Sequence, residues 1–171
     1  SHSSAINIDT LKLSTSTIAY LKARFRKLKD HDKLVCILMD EVYSQTMAQF
    51  VNGRIYGAEN GSFTKTLLSV MVKSITSKYR DIIVMTPLVN INASIIFKIW
   101  DQVLEVVTEI GFDVAVTMTD GVSSNMSFFK KKMLEHPGDT FCLNRYNIES
   151  KIYACYDPLH LFKNFCNNWR N

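Results

Sequence analysis

Leu34-Val35-Cys36-Ile37-Leu38-Met39-Asp40-Glu41 runs six apolar residues into two acids. An apolar run of that length, bounded by charge, reads as a strand buried on both faces. Further along, Val114-Ala115-Val116-Thr117-Met118-Thr119-Asp120-Gly121 repeats the arrangement: a short strand, then an acid. In open α/β sheets, sites form outside the carboxyl ends of strands. If the two strands are parallel neighbours, Asp40 and Asp120 face one crevice.

The chain between them supplies the rest of such a sheet. Asn52-Gly53 between Phe50-Val51 and Ile55-Tyr56 signals a hairpin. From Thr66 to Ile75 the sequence alternates, with Leu68, Val70 and Val72 on one side. Ser77 to Arg80 turns the chain into a strand at Ile82–Met85, stopped near Pro87. Strands this close in sequence pair antiparallel. Asn92 is a helix N-cap, and Ile95, Ile96, Ile99, Val103, Val106, Val107 and Ile110 form an apolar stripe that Gly111 ends.

Outward from this centre, Ile18, Leu21, Phe25 and Leu28 predict a helix from Ser16 or Thr17 to Lys29. Ser123 or Ser124 caps a helix to about Glu135, with Met126, Phe129 and Met133 inward. His136 to Asp139 breaks it. Ile152–Cys155 is a last strand, and Asp157-Pro158 opens a helix through Trp169. The expectation is an α/β fold with a mixed five-stranded sheet flanked by helices. Residues 1–32 form a helical lead segment and 33–171 the sheet domain.

The bulk properties are compatible with this. The 171 residues suffice for one core, and 47% are hydrophobic and 21% charged, as in soluble globular domains. No apolar run approaches the ~18 residues of a membrane span. Ser1-His2-Ser3-Ser4 lacks the pattern of a secretory leader. The net charge of +4 suits a nucleic-acid partner without demanding one. Cys36, Cys142, Cys155 and Cys166 form no CxxC pair and suggest a reducing compartment. His160 and Cys166 match no compact zinc module.

Two carboxylates held close together repel and need a cation to stay ionised. Hard oxygen ligands suit Mg2+ or Mn2+. The bland alternative is that Asp40 ends a strand and Asp120-Gly121 is a turn. Glu41 competes with Asp40, but adjacent strand residues face opposite ways, so one of them reaches the metal. Asp157 is either an N-cap or an auxiliary carboxylate. Asn125, with Ser123 and Ser124, caps a helix or offers backbone N–H groups to phosphate. His160 and Lys163 share one helix face, where they pack, meet water or contact phosphate. Lys130, Lys131 and Lys132 form a solvated basic face or a DNA contact. Trp100, Phe128 and Phe129 fit a core better than a base-stacking surface.

Taken together, Met39–Val42, Val70–Lys73, Thr119–Asn125 and Asp157–Asn164 resemble the landmarks of P-element-type DNA transposases and the THAP-domain proteins similar to them. The likeness runs from about Leu34 to Trp169. It implies an RNase H-like core with an Asp-Asp-Glu triad in which Asp40 is the first acid and Asp120 the second. It further implies two Mg2+ or Mn2+ ions, transposon-end and target DNA as partners, a possible homo-oligomer and a nuclear location. Lys130, Lys131 and Lys163 are the DNA-contact candidates. In this family the third acid follows an insertion that binds guanine nucleotide (GTP). The sequence is expected to stop near that insertion, before the last catalytic helix, and to lack the zinc-dependent THAP module. The fragment alone is then expected to be inactive.

Three functions compete. The first is cut-and-paste cleavage and strand transfer on DNA. A second is a domesticated scaffold that binds DNA or oligomerises without catalysis. A third is an exonuclease of similar fold, which typically carries Asp-x-Glu where this chain has adjacent Asp40-Glu41.

Overall fold

The structure, a computed structural model, describes residues 13–43, 49–51, 54–56, 58–59, 62–63, 66–88 and 90–169. The order is α1 (Thr15–Phe25), β1 (Leu34–Tyr43), β2 (Gln49–Val51), β3 (Arg54–Tyr56), β4 (Ala58–Glu59), β5 (Ser62–Phe63), β6 (Thr66–Ser74) and β7 (Arg80–Leu88). Then come α2 (Ala93–Ile110), β8 (Asp113–Thr119), α3 (Ser123–Phe128), β9 (Phe141–Asn144), β10 (Asn147–Tyr156) and α4 (Pro158–Trp169).

One mixed sheet carries the fold, in the order β7-β6-β1-β8-β10-β9. β7, β6 and β1 form an antiparallel meander. β8 is parallel to β1, and β10 is parallel to β8. The antiparallel β9 closes the far edge. The sheet has six strands where the sequence predicts five. The sixth, Phe141–Asn144, is four residues long, too short for alternation to show. It becomes a strand because the outer edge of β10 offers it a partner.

Helix α2 builds the core. Asn92 accepts from the backbone N–H of Ser94 and Ile95, both at 3.0 Å, and starts the helix. Gly111, at φ 111°, ends it. Between them Ile96, Ile99, Trp100, Val103, Leu104 and Val107 are buried, in one cluster with Val35, Ile37, Met39, Leu68, Val70, Val72 and Val114. Each such aliphatic side chain stabilises by about 1.5–3 kcal/mol when fully buried. The Trp100 indole donates to the Thr117 hydroxyl at 2.9 Å, so the one polar atom of that large ring is satisfied. From α1, Leu21 enters the same cluster, and Phe25 meets Phe112 edge-on at 5.0 Å.

Several expected boundaries move. Ser14 caps α1, which ends at Phe25 rather than Lys29, and Asp30–Lys33 forms a separate 3-10 turn. β7 runs through Pro87, because an edge strand tolerates a missing N–H. The hairpin of β2 and β3 closes at Val51 opposite Arg54; Asn52 and Gly53 lie outside the described residues. Neither Ser123 nor Ser124 caps α3; Val122 holds that position without a side-chain bond. The helical segment ends at Met133, close to the expected Glu135, but not as one α-helix: α3 widens into a π turn at Phe129–Met133, closed by Leu134 N–H on the Phe129 carbonyl at 3.0 Å. The wider turn lets Phe128, Phe129 and Met133 all reach the core. No helix among the described residues is long and apolar enough to cross a membrane.

Candidate metal centre at the strand ends

Three parallel strands, β1, β8 and β10, stop pairing with one another at one level. The last residues paired between β1 and β8 are Met39 and Thr119. Those between β10 and β8 are Tyr156 and Thr119. One step further on each chain segment stand Asp40, Asp120 and Asp157. All three line one crevice, together with Ser69, Met71 and His160.

Asp40 does not end its strand, as the sequence suggests. β1 continues to Tyr43 because β6 still pairs with it, Asp40 opposite Ser69. β8 stops one residue before Asp120, so the crevice opens where β1 outruns its other neighbour. A register shift between Val35 and Cys36 fixes the alignment. Val35 lies opposite Val114, but Cys36 lies opposite Val116. Ala115 is the extra residue. Without that bulge Asp120 would come level with Glu41 instead of Asp40, on the other face of the sheet.

A carboxylate oxygen of Asp40, one of Asp120 and a ring nitrogen of His160 lie within 4.8 Å of one another. Asp120 is held in place. Its Oδ1 accepts from Asn125 Nδ2 at 2.6 Å and from the Val122 backbone N–H at 3.3 Å. Asn125 is 1% exposed, and its own Oδ1 has no partner among the described residues.

Glu41 faces away, where its Oε1 accepts from the Ser124 hydroxyl at 3.1 Å. Burial raises its pKa above the usual Glu range; the Ser124 bond opposes this, and the charges of Asp120 and Asp40 add to it. Asp157 caps α4: its Oδ1 accepts from Leu159 N–H at 2.8 Å. Its own N–H donates to the Thr119 carbonyl at 2.8 Å, which ties the start of α4 to the end of β8. Lys130, Lys131 and Lys163 are exposed, and none of them lines the crevice. Spacing alone gives His160 a packing or solvent role; the structure brings it to the carboxylates. The signal in the sequence is its place on the first turn of a helix that starts at a strand end.

The donor set fits a divalent cation. The two hard carboxylates suit Mg2+ or Mn2+, and small side-chain shifts bring atoms at these separations to bond lengths of about 2 Å. A second groove, lined by Leu13, Thr17, Val84, Met85 and Gln102 among others, contains no acid, base or thiol.

Residues 10–133 match the family described as TNP-like, RNase H N-terminal domain. Among solved structures, the chain is similar to the Drosophila P element transposase strand transfer complex, with a TM-score of 0.71 at 13% identity. That likeness covers 94% of this chain and 35% of that one, so the protein spans about a third of its length. At this identity it shows a shared RNase H-like fold. The Mos1 strand transfer complex matches at a TM-score of 0.26 and 11% identity, over 72% of this chain and 38% of that one, too weakly to support an argument. No curated protein sequence matches.

Proposed function

The chain belongs to the family of TNP-like RNase H N-terminal domains, and from this premise we propose that it is the metal-binding part of the catalytic core of a cut-and-paste DNA transposase of the P element type. The observation that carries the reading is that Asp40 and Asp120 have ligand atoms within 4.8 Å, one residue beyond the last pair joining the parallel strands β1 and β8.

Asp40 and Asp120 are the metal-binding and catalytic carboxylates of this reading. Asp40 and Asp120 would hold Mg2+ or Mn2+, and the bound ion would supply the charge needed to activate a water or 3′-hydroxyl and to stabilise the leaving oxygen of a phosphodiester. Asn125 and the Val122 N–H fix the orientation of Asp120. Glu41 stays outside the site, bound to Ser124. The partner is DNA, and the nucleus is the place of work. A third acid, a second ion and a guanine nucleotide belong to the complete catalytic core in this reading; the likeness covers 35% of the P element transposase chain.

Titration with Mn2+, followed by electron paramagnetic resonance, tests the reading. One bound ion is expected for the wild type, and none for Asp40→Asn or Asp120→Asn. In a longer protein carrying this segment, both variants should still bind DNA but fail to cut it. Wild-type Mn2+ binding that both substitutions leave intact would place the ion elsewhere and refute the assignment.

A further inference from the structure

We propose that His160 is a third metal ligand, delivered by α4, and that it biases the site toward Mn2+, Co2+ and Zn2+ over Mg2+. The inference rests on the reading of Asp40 and Asp120 as metal carboxylates.

Three observations place His160 there by construction of the fold. The first is distance: its ring nitrogen lies within 4.8 Å of ligand atoms on both carboxylates. The second is the anchoring of its helix. Asp157 binds the Thr119 carbonyl through its backbone and the Leu159 N–H through its side chain. The first turn of α4 is thereby tied to the residue just before Asp120, and His160 sits on that turn. The third is packing behind it. A Cβ on Gly121 would meet Leu161 Cδ2 at 3.3 Å, so α4 lies close against the Asp120-Gly121 turn. The neighbouring Leu159 and Phe162 point outward, 76% and 67% exposed. His160 is therefore the side chain of this turn that reaches the crevice.

The chemistry follows from ligand type. Carboxylates alone suit Mg2+, Ca2+ and Mn2+, whereas imidazole nitrogen suits Zn2+, Co2+ and the other first-row metals. Mg2+ keeps most of its waters and gains little from a nitrogen donor. A mixed set of two oxygens and one nitrogen should favour Mn2+ and Co2+, and it supplies three protein ligands from this chain alone.

The test uses the chain with histidine labelled by 15N. Mn2+ bound to the wild type should show a nitrogen coupling in pulsed paramagnetic resonance that His160→Gln removes. His31 and His136 remain in that variant as internal controls. Calorimetry should show His160→Gln and His160→Ala weakening Mn2+ and Co2+ by roughly tenfold or more, with Mg2+ affinity little changed. Circular dichroism checks that both variants fold. If nitrogen coupling is absent and Mn2+ affinity is unchanged in folded His160 variants, while Asp40→Asn still abolishes binding, His160 is no ligand and the carboxylate site stands. If Asp40→Asn and Asp120→Asn leave binding intact, the carboxylate reading fails and this inference fails with it.

Discussion

Asn125 donates to Asp120 at 2.6 Å while its own oxygen is buried without a partner among the described residues. A neutral amide in that position orients the carboxylate without competing for its charge. Asn125→Ala should weaken Mn2+ binding roughly 10–100-fold, the usual effect of losing a partner that orients a ligand. An unchanged Kd by calorimetry would remove Asn125 from the site. Glu41 gives a pH prediction. Its folded pKa is raised, chiefly by burial, so its contribution to stability is full below the ordinary Glu value of 4.5 and lost as pH rises through the folded value. Glu41→Gln keeps an acceptor for Ser124 and removes the charge. It should stabilise the fold at pH 7 relative to its effect at pH 3, by under about 1 kcal/mol because the group is only partly buried and solvent screens it. Urea midpoints at the two pH values check this; a loss at pH 7 would contradict it. Both acids at the strand end were visible in the sequence. The choice between Asp40 and Glu41 depends on which face each occupies, and the alternation rule alone left that open.

At the level of elements, Gly111 joins α2, α1 and β8. Its φ of 111° disfavours any side chain, and a Cβ there would meet Phe25 Cζ at 2.8 Å. Gly111→Ala should cost more than about 1 kcal/mol and loosen α1, read as faster amide exchange over Thr15–Phe25. Thr117→Val strands the buried Trp100 N–H and should cost about 1–3 kcal/mol in urea unfolding. A cost near zero would mean the indole finds another acceptor. The caps of α2, its stripe and the alternation of β6 are local features, so the sequence displays them. Other features are set by neighbours. The bulge at Ala115 has no composition mark, yet it decides that Asp120 comes level with Asp40. β9 exists because β10 has a free edge, and the π turn because three bulky side chains must enter one core. Such features are tertiary in origin and were not legible.

For the whole molecule, the succession of strands and helices along the chain, β9 apart, was readable from the sequence because each element carries its own periodicity and short connections limit the topology. The position of α4 was not, since the bond from Asp157 to Thr119 appears only once β8 and β10 are neighbours. The net charge of +4 and the exposed Lys130 and Lys131 on the π turn bear on DNA binding. If those lysines meet phosphate, replacing both by Ala should reduce the slope of log K against log salt by about 1 per lysine, evenly across DNA sequences. An unchanged slope would leave them as a solvated face. The central claim is that Asp40 and Asp120 hold one divalent cation between them. The most direct measurement is a crystal structure of the chain at saturating Mn2+, with anomalous scattering recorded for the metal. The account predicts a single strong peak about 2 Å from oxygens of both Asp40 and Asp120. Ordered carboxylates with no peak between them, or standing more than about 8 Å apart and so too far to share one ion, would contradict it.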